Sequence, residues 1–364
     1  MPAGNHARSG RAASPVDRGP GTRPGPLGLL ARRFVRAGVW CTAALLTIAV
    51  PERSGAADKY AGEFLRIGVG ARALGMGGAF VALADDASAA YWNPAGLGRL
   101  QYAELLFMHA EQFDNQLSHD YFGFVQPLGR GAHATVGVGL IRVAIDDILV
   151  TKDAFQDLND NGEWDPGEPI LTERFQSDSD TEYGLLLSYA RPVTDRMSLG
   201  GNFKLLRQGL LDNTSFGIGI DLGVLYDLRP GVTLGLRIAD ATTTRISWDT
   251  GHRETIAPSM ALGLAWTRRL DAINGAVTAA GDLTRSFDGR NEVSQIGGGA
   301  DLQGGLEYWY DDKVAARVGS DAGRFTAGAG LRIPGVLQGL GIDYAFLAHD
   351  DLGDTHRVSA SIHL

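Results

Sequence analysis

The chain has 364 residues, 44% of them hydrophobic, with 50 Gly and a formal net charge of −9. This length is sufficient for a sizeable core, but no long stretch after position 100 has a 3.6-residue apolar period, so a helical bundle is excluded. The acidic charge argues against nucleic acid as a partner, because phosphates attract Lys and Arg. We therefore expect a mostly β protein.

The N-terminus, residues 1–57, is interpreted as a disordered leader followed by a signal peptide. Arginines at 32–36 precede an apolar run at 37–50, and small residues follow. This order is typical of a secretory signal, and we predict cleavage after Ala56 or Ala57. The apolar run is shorter than the ~20 residues that a membrane-spanning helix needs.

The only cysteine, Cys41, lies within this signal, and Trp40 stands where a lipidation motif needs a small residue. The exported chain therefore has no disulfide framework and no thiolate metal site. Residues 1–56 hold 8 Arg and 2 acidic residues, so their removal brings the formal charge close to −15.

Residues 58–100 combine a glycine-rich stretch at 68–78 with the sequence ALADDASAAYWNPAGL at 82–97. This region is too rich in Ala for a strand and too interrupted for a long helix. The glycines do not form a phosphate-binding loop, because no Gly-Lys-Ser/Thr follows them. The acidic pair Asp85–Asp86 is one of several in the chain, and such pairs are more often solvated than catalytic.

From residue 101 onward, apolar and polar residues alternate with a period of two. In the stretch 214–228, one face is apolar from Phe216 to Leu228, while the other carries Gly and Asp. Such alternation suits a soluble sandwich or a transmembrane barrel. The long strands and the aromatic residues near strand ends favour the barrel.

We therefore predict an all-β fold in which 101–364 forms a closed antiparallel transmembrane β-barrel of about 14 strands. The predicted strands are 101–110, 118–128, 132–149, 181–191, 197–208, 214–228, 231–246, 258–268, 273–286, 294–310, 313–320, 324–333, 339–348 and 354–364. Short connections alternate with longer polar ones, as periplasmic turns alternate with outside loops in outer-membrane barrels. A soluble secreted β-domain that binds a surface ligand is the less favoured alternative.

The longest connection, the predicted outside loop 150–180, contains DLNDNGEWDPGE, which fits the calcium-loop pattern D-x-[DN]-x-[DN]-G-x5-E. The pattern places oxygen donors at alternate positions around a sharp turn, an arrangement that suits a hard cation. A solvated acidic loop is the alternative, since Asp, Asn and Gly are ordinary turn residues. The candidate ligands of a structural calcium ion are Asp157, Asn159, Asn161, Glu163, Asp165 and Glu168.

No enzymatic constellation is evident. The eight His lack a metal-ligand spacing such as H-E-x-x-H, and no G-x-S-x-G nucleophile motif occurs. We therefore expect a non-enzymatic protein without catalytic residues.

The stretch FLRIGVGARALGMGGAFVALADDASAAYWNPAGLGRL, residues 64–100, closely resembles the N-terminal signature of the PorV/PorQ family of outer-membrane proteins. It is more distantly similar to the hatch of FadL-type fatty-acid transporters. The shared elements are a Gly-rich opening, an Ala-Asp-Asp-Ala segment and an Asn-Pro-Ala turn. The matching signature residues are Gly70, Gly75, Gly77, Gly78, Asp85, Asp86, Asn93, Pro94 and Ala95.

The resemblance implies that 58–100 is a hatch folded into the lumen of a barrel in the bacterial outer membrane, surrounded by its lipid. PorV-like members act in secretion and handle cargo proteins, whereas FadL-like members pass hydrophobic molecules through the hatch and a lateral wall opening. The Asp pair is expected to meet lumenal Arg142, Lys204 or Arg237. The hatch is either a purely structural plug or a gate, and mid-strand glycines could mark kinks or bulges in the wall.

Overall fold

The computed structural model describes residues 61–113, 116–129, 134–152, 154–287, 300–335, 339–348 and 353–364. The predicted leader, signal peptide and cleavage site lie outside the described residues. The segment Ala61–Leu100, called the hatch below, contains short helices and turns, and strands follow it.

The hatch has two short α-helices, and sixteen strands follow it in the described part of the chain. The helices are α1 Ala71–Gly75 and α2 Ala89–Trp92, with 3₁₀ turns at Glu63–Arg66, Pro94–Arg99, Thr172–Arg174 and Asp271–Ile273. The strands are β1 Glu104–Gln112, β2 Leu117–Leu128, β3 Ala134–Val150, β4 Gln176–Thr194, β5 Met197–Leu210, β6 Asn213–Arg229, β7 Val232–Ala239, β8 Thr244–Trp248, β9 Arg253–Ile256, β10 Ser259–Leu270, β11 Gly275–Ser286, β12 Ala300–Tyr310, β13 Val314–Asp321, β14 Arg324–Ile333, β15 Gly339–Leu347 and β16 Thr355–His363.

Fourteen of these strands, β1–β7 and β10–β16, form a closed antiparallel transmembrane barrel. The first and last strands pair, with Glu104 opposite His363, and β5 pairs with β6. Closure leaves no unpaired edge, which is what a sheet needs in a lipid environment. The predicted fold class is confirmed.

The alternation of side chains along β6 shows which face meets lipid. Phe216 and Ile218 are 56% and 48% exposed on the outer face, whereas Ser215 and Asp221 are 4% and 3% exposed on the inner face. The apolar positions therefore face outward, and the glycines and polar side chains face the lumen. This is the reverse of a soluble sandwich, whose apolar residues face the core.

The barrel has two ends, which we call the turn end and the loop end. The turn end carries the start of β1, the end of β16 and the connections 195–196, 230–231, 271–274 and 311–313. The loop end carries the longer stretches 154–175 and 240–258. The predicted separation into short and long connections matches this arrangement.

The predicted strand 231–246 differs from the structure, because β7 ends at Ala239 and pairing with β6 resumes only in β8. Asp240 and Thr243, between the two strands, adopt φ of 55° and 58°. The left-handed backbone breaks the ladder there. The β8–β9 hairpin extends the wall on β6 beyond the end of β7. Among the described residues, no helix is long and apolar enough to cross a membrane.

Candidate functional site

The hatch lies inside the barrel and supplies much of its buried core. Several of its apolar side chains, among them Phe80, Leu97 and Met76, are fully buried. Aromatic side chains hold its turns together: Trp92 Nε1 donates to the Val69 carbonyl at 2.8 Å, and Tyr91 packs edge-on against Trp92. The segment is therefore a folded plug and not an extended strand.

The signature glycines allow α1 to lie directly against the wall. Gly70 precedes α1 with φ of 80°, and its N–H points at Met108 Sδ, 3.1 Å away. Gly77 has φ of 67°, and a Cβ there would lie 2.5 Å from the Ser320 carbonyl oxygen. Gly75 and Gly78 are also buried. Gly75 and Gly77 need glycine because a side chain there would push the hatch away from β14 and β13, whereas a Cβ at Gly70 or Gly78 would meet Ser88 or Trp92 of the hatch itself.

Wall glycines provide matching space for the hatch. A Cβ at Gly200 would lie 2.4 Å from Pro94, one at Gly235 would lie 2.4 Å from the Val81 carbonyl oxygen, and one at Gly305 would lie 2.3 Å from the Met76 carbonyl oxygen. The expected kinks or bulges are not found at these three glycines, which lie within continuous pairings. These three wall glycines leave room for the hatch backbone to contact the strands, and we call them the glycine seats.

The Asn-Pro-Ala turn is fixed to the wall by Asn93. Its Nδ2 donates to the Val81 carbonyl at 2.8 Å and to the Val224 carbonyl of β6 at 3.2 Å, and its Oδ1 accepts from Ala95 N–H. Pro94 starts the 3₁₀ turn, where its missing N–H costs no hydrogen bond. The turn thus joins two parts of the hatch to β6.

The signature acids have a different partner from the one expected. Asp85 contacts Arg72 Nη1 at 2.5 Å, and Asp86 lies 3.7 Å from the same atom. Arg72 belongs to α1, so the pair closes a contact within the hatch. The predicted partners Arg142, Lys204 and Arg237 are wrong: they contact Asp120, Asp221 and the Tyr91 ring, respectively.

Arg72 also fastens the hatch to the wall through a buried ion network. Its Nε and Nη2 donate to the two oxygens of Glu307, each at 2.9 Å. Arg317 contacts the same carboxylate at 2.7 Å and Asp343 at 2.7 Å. Glu307 is 1% exposed, so its charge depends on these two guanidinium groups. We call Arg72, Glu307, Arg317 and Asp343 the latch.

A second buried cluster lies where β7 ends. Lys204 Nζ contacts Asp221 at 2.9 Å and Asp240 at 2.6 Å. Asp240 is the residue with left-handed backbone that interrupts the wall, and its N–H donates to Asp221. The interruption is therefore held by ion pairs of Lys204 with two carboxylates in the lumen.

On the loop-end side of the hatch, Phe64 and Leu65 belong to an apolar cluster, which we call the outer chamber, and polar wall side chains such as Gln208 and Ser215 are buried nearby. Phe64 and Leu65 of the hatch approach Gly184 and Leu206, and Leu206 in turn packs near Ile246. Tyr91 donates to the Leu65 carbonyl at 2.7 Å and holds this turn in place. The chain's own Phe64 thus fills an apolar space inside the barrel.

A cavity of about 440 Å³ opens on the turn-end side of the hatch, beside α1. Arg72 and Asp86 of the hatch line it, together with Trp309 and Arg332 of the wall. The Arg332 guanidinium lies 4.0 Å from the Trp309 ring centre. This cavity is charged, in contrast to the outer chamber.

The calcium-like loop forms one compact turn at the loop end. Asp157 accepts the N–H groups of Gly162, Asn159 and Asn161, and these bonds hold the pKa of Asp157 below its usual value. Both Glu168 oxygens accept backbone N–H groups. Asp165 accepts from the side chains of two of the predicted ligands, Asn159 and Asn161.

The exposed Glu163 donates its N–H to Asn161 Oδ1 at 2.8 Å, so all six predicted ligands share this turn. Elsewhere, too, the described chain has no group of three or more His, Cys, Asp or Glu placed to hold a metal ion. The calcium-loop pattern differs from a cluster of His, Cys, Asp or Glu, because its oxygen ligands come from amide side chains and the backbone as well as from carboxylates.

Residues 41–141 match an uncharacterised protein family, UPF0164. No curated protein matches the chain significantly. The toluene transporter TbuX of Ralstonia pickettii has a similar structure, with a TM-score of 0.51 and 14% identity over 81% of this chain and 97% of that one.

The toluene transporter TodX of Pseudomonas putida gives a TM-score of 0.51 and 15% identity over 81% of this chain and 96% of that one. A FadL homologue from Pseudomonas aeruginosa gives 0.46 and 13% over 80% and 98%. The chain shares the barrel fold of TbuX and TodX.

Sequence reasoning placed Lys204 on the lumenal face but did not identify its partners, Asp221 and Asp240. Arg72 was missed, although it lies between two signature glycines. The alternation signal assigns a residue to a face, whereas an ion pair between α1 and β12 joins positions 235 residues apart. Only the register of the closed barrel brings them together.

Proposed function

We propose that this protein is a non-enzymatic barrel that transports hydrophobic small molecules across the bacterial outer membrane. The outer chamber carries the proposal, because an apolar space inside a barrel takes apolar ligands, whereas a water-filled pore has a polar lumen. The fold shared with two toluene transporters supports the same ligand class. The exposed outer side chains contact membrane lipid, and the turn end faces the periplasm.

A ligand would enter from the loop end and displace Phe64 and Leu65 from the outer chamber. The latch and the glycine seats hold the rest of the hatch, so further passage needs a local rearrangement. One exit leads along α1 to the turn-end cavity. The other leads sideways at the wall interruption 240–243, and a lateral opening is what the resemblance to FadL-type transporters implies.

Binding of 1-octanol to the purified barrel in non-ionic detergent tests this proposal by isothermal titration. Phe64→Ala should tighten binding severalfold, because it vacates a ring-sized apolar space. The matched control is Phe203→Ala, which removes a ring that is 46% exposed on the outer face. Failure of octanol, toluene and longer alkanols to bind either form contradicts a hydrophobic-ligand channel.

Secretion is the second candidate function, and the PorV/PorQ-like signature at 64–100 favours it together with the firmly seated hatch. Affinity purification from the native envelope distinguishes the two candidates. Secreted proteins that co-purify in stoichiometric amounts would favour handling of cargo at the loop end. Bound hydrophobic molecules without such proteins would favour transport.

We further propose that the loop 157–168 binds one calcium ion that rigidifies the longest outside connection. The donor set supports this, since it consists only of oxygens, drawn from three carboxylates, two amides and the Glu163 carbonyl. The ionised state of Asp157 suits a cation. Calcium titration of the purified protein, followed by protease resistance of the loop, checks the proposal.

A further inference from the structure

Three buried polar side chains at the loop-end side of the hatch have nitrogen atoms without a hydrogen-bond partner among the described residues. They are His119, both of whose ring nitrogens lack a hydrogen bond, Arg357, whose Nε and Nη1 lack one, and Gln112, whose Nε2 lacks one. Their exposed fractions are 0%, 2% and 6%. Buried donors without acceptors are costly, which makes three of them on adjacent strands unusual.

The barrel register brings these residues together on one patch of the lumenal wall. Ala110 of β1 lies opposite His119 of β2 on one side and opposite Arg357 of β16 on the other. Gln112 is two positions farther along β1 and has the same inward orientation. Adjacent strands lie about 4.8 Å apart, so His119 and Arg357 bracket the small side chain of Ala110 at about 10 Å.

The chemistry of the patch is that of a donor set. Arg357 offers only N–H groups, the free atom of Gln112 is an amide nitrogen, and His119 donates from at least one nitrogen. Among the described residues, the nearby acids already have partners. Asp120 points outward and pairs with His109 and Arg142, and Asp321 pairs with Arg324. The complementary group is therefore an acceptor that carries negative charge.

We propose that His119, Arg357 and Gln112 form a binding site for an oxyanion, such as a carboxylate, inside the lumen. The oxyanion is either the head group of an amphipathic acid or a small free anion. For an amphipathic acid, the inference rests on the proposed function and extends it: the carboxylate binds this patch while the apolar part occupies the outer chamber. The site then selects acidic ligands over neutral hydrocarbons.

Isothermal titration of the full barrel in non-ionic detergent tests the proposal with three probes: sodium octanoate, 1-octanol and sodium sulfate. Arg357→Gln and His119→Leu should each weaken octanoate binding roughly tenfold or more, since each removes hydrogen bonds to a charged group. Octanol binding should change less than twofold. Arg357→Lys should retain part of the affinity. Arg253→Gln, the same change at an exposed position of β9, is the control.

Heat-modifiable electrophoretic mobility verifies that each variant is folded, and the Arg357→Lys variant serves if Arg357→Gln fails to assemble. Octanoate binding that depends on Arg357, with no binding of sulfate, supports the amphipathic acid. Sulfate binding with the same dependence supports the free anion. Equal binding of octanoate and octanol, unaffected by either substitution, overturns the oxyanion site and leaves hydrophobic transport standing. Binding of octanoate or sulfate without binding of octanol supports the oxyanion site and overturns hydrophobic transport. Binding of none of the three probes overturns both the oxyanion site and hydrophobic transport.

Discussion

The two halves of the lumen are built on different principles, although the same strands line them. In the turn-end half, the latch pairs its buried charges and glycine seats bring hatch and wall into backbone contact. In the loop-end half, Phe64 and Leu65 pack in an apolar cluster, and donors on His119 and Arg357 have no acceptor among the described residues. The turn-end half pairs its buried charges and leaves a cavity of about 440 Å³, whereas the loop-end half is filled by Phe64 and leaves buried donors unpaired among the described residues.

The strongest test of this contrast is Glu307→Gln, which removes the negative charge between Arg72 and Arg317. We expect the free energy of unfolding in urea to fall by about 3 kcal/mol, since two buried guanidinium groups lose their shared carboxylate. Urea titration in detergent micelles, followed by Trp fluorescence, measures the loss.

The control is Asp312→Asn, which breaks the exposed pair with Arg269 and should cost less than about 1 kcal/mol. Equal effects of the two substitutions would mean that the latch does not hold the hatch.

A smaller effect is expected from Gly200→Ala, which places a methyl group against Pro94 of the hatch. A Cβ at position 200 would lie 2.4 Å from the Pro94 carbonyl, so we expect the free energy of unfolding to fall by about 1–3 kcal/mol because of overpacking. Gly209→Ala on the same strand is the control, because its nearest neighbour would be 3.8 Å away. Increased protease cleavage between 90 and 100 in the first variant alone would locate the damage in the hatch.

The smallest effect concerns the loop-end connection outside the barrel. Asp157→Ala and Glu168→Ala should each abolish the stabilisation by calcium. At a calcium concentration ten times the Kd, this stabilisation amounts to about 1.4 kcal/mol. Protease resistance of the loop with calcium and with chelator measures it. Asp160→Asn alters a charge in the same loop at a non-ligand position and should leave the calcium response intact. A calcium response that persists in both Ala variants would refute the metal site.

The depressed pKa of Asp157 gives this loop a pH dependence of known sign. A carboxylate whose pKa is lower in the folded state contributes stability above its unfolded pKa and loses it as the pH falls through the folded value. Calcium affinity should fall over the same acidic range, because protons compete for the carboxylates.

Period-two alternation predicted the strands well where the wall is regular. The predicted strand 324–333 coincides with β14, since each inward residue there faces the hatch or lumen and each outward one faces lipid. It failed at 231–246, because Asp240 turns inward onto Lys204 and breaks the ladder. The hatch signature was identified from its residues, but the glycine seats of the wall were mistaken for possible kinks.

The sequence by itself determined the period-two alternation of the strands and that a Gly-rich and Ala-rich segment precedes the barrel, because both depend on neighbours along the chain. It placed Arg142 in the lumen, however, whereas Arg142 pairs with Asp120 on the outer face. Only the tertiary structure decided what the inward residues do. Barrel closure sets Arg357 of the last strand beside Ala110 of the first, and α1 carries Arg72 to Glu307. These contacts follow from register and from packing inside a closed wall, and no local pattern encodes which distant residue will fill the space opposite.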